Sequence, residues 1–464
     1  MATNTDKGRE IDKNLQERLR TIRTGNFLFE DKNHNIHIDE ETYIQTFKKM
    51  FDVKTLRTQT QNDNPEMYLY GNGYYIKGAE TYFTETNHKL FETRMKKRIN
   101  AELRQKLQAH SYVNTDYFEQ FNPDYLNVQN GVLNLRTKEL HPHDPKYRMR
   151  TILPVKYDPD EEYEFMTDFV EEIVIESDQK VIQEMFGDCL YPDYWLQKAF
   201  MLTGKGANGK GVLLYILNKL LGKENISTVN LVSLTNSKFS SSELHHKYAN
   251  ISNETPSGKL VSTDKFKSLR GGDLITAERK YGHPYQFTNH AKMIFAANEL
   301  PVSADNTFAF WRSWIIIRFP NIFTGTHAKK NLKKELTSKE NMPGILNYAL
   351  EGLTRLLKNQ EFSYSKSTKE VKDEWKKATD STLLFIQTQV EEDAKGELST
   401  KEIYDSYHRF CSEYLLKELS QLGFWKKWRK HTGKQFPDAE KKQYSGGGSG
   451  TYYWTGIKLK NNNS

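Results

Sequence analysis

Cysteine is nearly missing from this chain. Its 464 residues hold two, Cys189 and Cys411, which excludes a disulfide framework and a thiolate zinc site. Long apolar runs are missing too. The longest, such as WIIIRF at 314–319, are strand-sized and far short of a bilayer span. The opening MATNTDKGREIDKN is polar and has no apolar stretch of the secretory kind. Nor does one sign of charge dominate. Sixty-seven basic against 60 acidic residues leave a formal net charge of +7, which permits a polyanionic partner without demanding one. No internal repeat is found. These absences lead to the expectation of a soluble, cytoplasmic protein with no membrane partner. What is present is enough apolar sequence (37%, with 12% aromatic) for several cores, and the length predicts about three domains or more.

The chain divides as follows. Residues 1–110 mix short aromatic strands (MYLYGNGYYIKG) with a basic, helix-like stretch, HKLFETRMKKRINAELRQKLQAH. This predicts an α+β accessory region. Residues 111–194 are strand-rich and then helical; Asn130-Gly131 between alternating runs predicts a hairpin, and 161–190 reads as helix. Between 195 and 325, short apolar runs (QKAFMLTG, YANISNE, AKMIFAAN, SWIIIRFP) alternate with helical or loop segments. Such runs predict buried parallel strands of an α/β sheet. Residues 326–378 are helical, with Pro343 near the start of one helix. Residues 379–464 read helix, helix, helix, then a hairpin turning at SGGGSG, in the manner of a winged helix.

Glycine is concentrated in one place. Gly204, Lys205, Gly206, Ala207, Asn208, Gly209 and Lys210 form G-x-x-x-x-G-K between the strand AFMLT and an amphipathic helix with Val212, Leu213, Ile216 and Leu220 inward. In that context backbone N–H groups wrap a β-phosphate, the helix N-terminus adds partial positive charge, and Lys210 reaches the β and γ oxygens. The bare alternative is a glycine-rich turn without a ligand. Residue 211 is Gly where Ser or Thr ordinarily ligates Mg²⁺, so the ion must lean on phosphates, water and a distal acid. Glu254, closing YANISNET beside Asn253, supplies that acid. Asn298, closing AKMIFAANELP, offers an amide to sense a γ-phosphate. Taken singly, these two residues are more commonly an exposed strand-end carboxylate and a turn residue before Pro301. Together, each closing a candidate central strand, they form a set.

These stretches resemble superfamily III helicases, specifically the poxvirus- and phage/plasmid-type primase-helicases. GKGANGKG is similar to that family's phosphate loop, Gly211 included, and Glu254 falls at its strand-end acid. FKSLRGGDLITAERKYGHPYQF resembles the segment carrying its DNA-contacting hairpin, and MIFAANELP its sensor motif. FAFWRSWIIIRFP resembles its arginine-finger stretch, which assigns the finger to Arg312 with Arg318 competing. NPDYLNVQNGVLNL through YDPDEE resembles the domain ahead of the motor. The resemblance covers roughly 60–460. It implies an AAA+-type P-loop core with a parallel sheet, preceded by an α+β collar and followed by a winged helix. It also implies ATP and Mg²⁺ (the ion at Glu254 and the phosphates), and hexameric rings moving 3′ to 5′ on single-stranded DNA. Lys210, Glu254, Asn298 and Arg312 are then the catalytic set, with Arg312 serving the neighbouring copy. Expected partners are single-stranded and forked DNA, further copies of the chain, and a separate primase or polymerase. The element is a phage, plasmid or other mobile replicon.

Two stretches carry the expected DNA contacts. Arg279, Lys280, Tyr281 and His283 stand near a Gly-His-Pro turn, where cations grip phosphates and Tyr281 stacks on a base; the plain alternative is a solvated basic turn. FWKKWRKHTGK places Lys426, Lys427, Arg429 and Lys430 along one helix, with at least two of Phe424, Trp425 and Trp428 expected in a core. The first 110 residues are short for a primase module and carry no cysteine-histidine ligand set. The DPD at 158–160 reads as capping chemistry, and HPH at 141–143 and His245-His246 as loop histidines, so no primer synthesis is expected. Two rivals stand beside the motor: an ATP-regulated origin-binding initiator, favoured by Gly211, and an RNA-directed motor.

Overall fold

The computed structural model describes residues 15–460 except 58–64, 238, 256–258, 261–262, 279, 281–283, 299, 304, 306, 326–328, 330, 414–417 and 444–451. The N-terminal region is built on helices Glu40–Phe51, Ala79–Phe91 and Lys97–Ser111. They accompany a four-stranded sheet ordered 74–77, 67–71, 54–56, 112–113. Asp39 caps the first helix by accepting the Thr42 N–H at 3.2 Å, acids open it and lysines close it, which suits the helix dipole. Its Tyr43, Phe47 and Phe51 fall one turn apart and pack with Phe83 and Phe91 in one buried aromatic cluster. The hairpin expected at Asn130-Gly131 forms, with Tyr125–Val128 antiparallel to Gly131–Asn134.

The expected helix over 161–190 is two helices, α1 (Glu164–Ile173) and α2 (Glu176–Asp188). The DPD stretch does not cap α1. Asp158 Oδ1 accepts the Asp160 N–H at 3.2 Å in a local turn, and the residue before α1 is Tyr163, which makes no side-chain cap.

The centre is a five-stranded, wholly parallel sheet. In chain order its strands are β1 (Ala199–Thr203), β2 (Ile226–Ser227), β3 (Ala249–Ser252), β4 (Lys292–Ala297) and β5 (Trp314–Arg318). Their spatial order is β2-β3-β4-β1-β5. Alternate residues face two separate cores, as a period of two requires. Phe200, Leu202, Ile294, Ala296, Ile315 and Ile317 join one; Ala199, Met201, Met293, Phe295, Trp314 and Ile316 join the other. That two-sided burial explains why these strands read as near-continuous apolar runs.

Helix α3 (Lys210–Leu221) follows β1 and buries Leu213, Leu214, Leu217 and Leu220 in the first core. A short helix, α4 (Phe308–Trp311), leads into β5. Helix α5 (Asn341–Asn359), with Pro343 in its first turn, lies against α2. A Cβ on Gly187 would sit 2.3 Å from Leu353 N, and one on Gly352 would sit 2.1 Å from Gln183 O, so this crossing is built on backbone contact.

Helix α6 (Thr368–Thr379) runs from the central sheet to the last region. There α7 (Ser381–Gln389), a strand (Val390–Ser399), α8 (Thr400–Glu413), α9 (Gln421–Gln435) and strands Glu440–Gln443 and Tyr452–Leu459 follow in order. The three strands form an antiparallel sheet with Tyr452–Leu459 central. Phe424 and Trp428 of α9 are buried with Phe385, Tyr407 and Trp454, while Trp425 is half-buried. The SGGGSG turn lies outside the described residues. No helix is long and apolar enough to cross a membrane among those described.

Candidate nucleotide site and cation cluster

The glycine-rich loop leaves the end of β1 and closes at the first turn of α3. Gly204 has φ +154° and a Cβ there would meet Asn208 Nδ2 at 2.4 Å and Phe319 O at 2.6 Å. Gly209 has φ +88°, where a Cβ would strike Ile173. Both positions need glycine for space and backbone conformation. Phe323 N–H donates to Ala207 O at 2.7 Å, fixing the far side of the loop. Lys210 is only 8% exposed. Its ammonium donates to Gly204 O and, at 3.2 Å, to Asn208 Oδ1. Burial holds its pKa down at about 8, because desolvation disfavours the charged form. Asn208 is buried as well, and its Nδ2 has no acceptor.

A desolvated lysine and an orphaned amide donor inside a loop at a helix N-terminus ask for an anion. The residues present therefore fit a nucleotide's phosphates. Beside Gly209 opens a cavity of about 640 Å³ lined chiefly by Phe169, Ile173, Val212, Phe323 and Leu332, with Glu172 at its edge, dimensions suited to a nucleoside. Its walls come from three separated segments, of which only 207–212 was legible beforehand. At Gly211 an added Cβ would meet nothing within 4 Å.

The register gathers the other expected residues at the same end of the sheet. Thr203 pairs with Ala297, so Asn298 follows directly beside Gly204, and it is exposed. Ser252 of β3 pairs with Phe295. Glu254 lies two residues beyond it and is exposed, its carbonyl held by Ser252 Oγ at 2.9 Å. Thr255 N–H donates to Ala296 O at 2.8 Å, carrying the pairing past the strand end. Arg318 also belongs to this end. It pairs with Thr203, and its Nε donates to Glu374 Oε1 at 2.7 Å.

Arg312 is at the other end. Trp314 pairs with Ala199, the first residue of β1, so Arg312 precedes the sheet instead of crowning it. Its Nη2 donates to Gln197 Oε1 at 2.9 Å. Two cations that sequence reasoning missed stand with it. Lys198 Nζ donates to Arg312 O at 2.6 Å. Arg270, 2% exposed, donates to Gln197 O at 2.7 Å and Ala309 O at 3.1 Å, and its Nε is buried without a partner. Burial, and then Arg270 and Arg312, hold the Lys198 ammonium below the ordinary lysine range. Among the described residues none of these three cations pairs with a carboxylate. The cluster is thus positive charge with only carbonyl and amide oxygens around it.

The expected DNA hairpin forms as Leu274–Ala277 antiparallel to Tyr285–Thr288. Lys280 sits exposed in its turn; Arg279, Tyr281 and His283 lie outside the described residues. On α9, Lys426, Arg429 and Lys430 are exposed. Lys427 is not a spare cation: its Nζ lies 3.1 Å from Asp380 Oδ2.

The histidines read as plain loop residues do find company. His245 and His246 converge with Glu119, their ligand atoms within 4.8 Å of one another. Arg150 Nη2, however, donates to His246 Nδ1 at 2.7 Å and lies 3.2 Å from Glu119 Oε1. A guanidinium already supplies the counter-charge a metal ion would bring, and it takes up the lone pair of one ring.

Residues 22–175 match the family described as D5 N terminal like. Residues 202–312 match a family of unknown function. A protein of Acanthamoeba polyphaga mimivirus that carries a helicase name is 27% identical over 223 residues, 45% of this chain and 23% of that protein. A protein of African swine fever virus (strain Badajoz 1971 Vero-adapted) that carries a primase name is 22% identical over 255 residues, 51% of this chain and 26% of that one. The matched stretches thus span about a quarter of those curated relatives. Among solved structures, the apo NrS-1 C-terminal region aligns over 89% of this chain and 98% of that one, at 11% identity and a TM-score of 0.46.

Proposed function

We propose that the chain is a D5-like primase-helicase and, within that family, an ATP- and Mg²⁺-dependent DNA helicase of superfamily III type. It works as a ring, hexameric and moving 3′ to 5′ on single-stranded DNA, in the replication of a virus, phage, plasmid or related element. The observation that supports this reading is the placing of two polar clusters at opposite ends of one sheet. One end holds a desolvated Lys210 and an orphaned Asn208 donor. The other holds Lys198, Arg270 and Arg312, which have no carboxylate partner among the described residues. In a head-to-tail ring the second end of one copy meets the first end of the next, and an uncompensated cluster of cations then finds a triphosphate.

Each residue has a task in that arrangement. The loop amides and Lys210 hold the β- and γ-phosphates, and Lys210 balances charge on the transferring group. Glu254 orients and polarises the attacking water. Asn298, level with Gly204, positions that water or contacts the γ-phosphate. Arg312, backed by Lys198 and Arg270, neutralises developing charge from the neighbouring copy, an effect worth roughly 10³ to 10⁵ in rate for trans arginines. Bound Mg²⁺ supplies Lewis-acid neutralisation of the phosphate oxygens; Glu254 is the side chain available to it, since position 211 has no hydroxyl. The strand order β2-β3-β4-β1-β5 suits an AAA+-type core. The order helix, strand, helix, helix, strand, strand of the last region suits a winged helix, whose Lys426, Arg429 and Lys430 meet duplex phosphates.

Gly211 keeps a second reading alive, an initiator that binds ATP to assemble on an origin and does not move. One measurement separates them. ATP turnover and fork unwinding, each with and without single-stranded DNA, should be stimulated by DNA in the wild type and lost in Lys210→Ala. ATP binding without DNA-stimulated turnover would leave the initiator; parallel RNA forks test substrate choice.

A further inference from the structure

We propose that helix α6 is a second binding surface for the DNA phosphate backbone, formed by Lys372 and Lys376 and continuous with Lys430 of α9. The inference rests on reading the terminal region as DNA-binding, and it extends the contact onto a helix that otherwise looks like a connector.

The rotation of α6 is set by its buried residues. Val371 and Trp375, one turn apart, face the second core of the sheet. Trp375 packs against Phe310, Trp311 and Trp314 and donates Nε1–H to Pro301 O at 2.8 Å. With that face fixed, Lys372 and Lys376 form their own stripe one residue further round, Lys372 half-buried and Lys376 exposed.

The end of the helix is fixed too. Asp380 follows α6 and caps α7 by accepting the Leu383 N–H at 3.2 Å. Its Oδ2 also takes Lys427 Nζ and His431 Nε2 of α9, each at 3.1 Å. This clamp ties the 427–431 turn of α9, which also carries Lys430, to the junction between α6 and α7.

The neighbouring charges register the approach. Partial burial first, then Lys372 and Lys430, hold the Lys376 ammonium below the ordinary lysine range; Asp373 acts the other way. Like charges gathered from two helices that share α7 as a neighbour cost free energy, and a polyanion laid across them offsets that cost. The exposed cations of α9 continue the same surface. A row of cations running over two helices suits a repeating backbone charge better than a compact acidic partner.

The test uses the full chain and a labelled 30-base-pair duplex, with affinity read by fluorescence anisotropy over a salt series. Lys372→Ala/Lys376→Ala should flatten the slope of log K against log salt by about 1.8, two phosphate contacts at about 0.9 each, and weaken binding roughly tenfold at 0.1 M salt. Lys401→Ala, an exposed charge on α8, should leave both unchanged. Lys426→Ala/Lys430→Ala probes the underlying reading. If that pair weakens binding while the α6 pair matches wild type in slope and affinity, the α6 surface is wrong and the terminal DNA site stands. If neither pair changes binding, both fall. A single-stranded arm, with its shallower slope of about 0.7 per contact, shows which form of DNA the α6 pair holds.

Discussion

If the ATP site is completed between copies, two dead variants should revive each other. Lys210→Ala removes the cradle's cation, and Arg312→Ala removes the trans arginine. Strands β1 and β5 run in register from Ala199↔Trp314 to Thr203↔Arg318. Trp314 alone lies four strand residues, about 13 Å at about 3.3 Å per residue, before the level of Thr203; Arg312 precedes it in a helical turn and its side chain is turned to Gln197. It cannot serve its own loop. In an equal co-assembly, each interface draws its loop and its arginine independently, so about a quarter of interfaces receive both. Steady-state ATP turnover of co-expressed rings should then approach about a quarter of wild type if interfaces act independently, while each parent alone falls by roughly 10³ or more. The control is the same two variants purified separately and mixed without subunit exchange, which should stay inactive. If co-assembled rings that still bind nucleotide do no better than the parents, Arg312 does not act in trans and the division of the site fails.

Three further outcomes follow from named atoms. Burial depresses the Lys210 pKa to about 8, against about 10.4 in an unfolded chain. The nucleotide-free fold therefore gains stability as pH rises through that window, while a triphosphate favours the charged form; ATP binding above pH 8 should take up protons and weaken with rising pH. Calorimetry at pH 8.5 in buffers of different ionisation enthalpy would show this, and equal heats would refute it. Gly211→Ala, with open space for its Cβ, should stabilise α3 by about 0.5–1 kcal/mol. Gly211→Ser adds a hydroxyl after the lysine, so it alone should lower the Mg²⁺ needed for half-maximal turnover; coincident Mg²⁺ curves for the two would count against that. Gly352→Ala drives a methyl to 2.1 Å from Gln183 O, and overpacking of this kind costs about 1–3 kcal/mol. A lower denaturation midpoint is expected, and an unchanged one would mean that α2 and α5 part without penalty.

How much of this was legible beforehand depended on whether a feature is local. The phosphate loop was, because its chemistry is backbone geometry and Gly204, Gly209 and Lys210 are tied to one another by spacing. Strand-end Glu254 and Asn298 were legible as a set, since each closes an apolar run. The buried pair Phe424 and Trp428 followed from helical periodicity. What stayed hidden was anything defined by the absence of a partner. Lys198 and Arg270 are ordinary cations in sequence; they matter because the fold brings them to Arg312 with no carboxylate partner among the described residues. The reverse holds for Lys427 and His246, which looked like solvent-facing groups and are tied to Asp380 and Arg150. Arg312 and Arg318, six residues apart, looked interchangeable until strand pairing sent them to opposite ends of one sheet. A parallel strand has only one end level with the loop, so an arginine before β5 and an arginine that ends it cannot share a role. The one that ends β5 is already paired with Glu374 in its own chain. The one before it meets an amide oxygen and no carboxylate among the described residues, which is why, on the proposed reading, it is the arginine offered to the next copy.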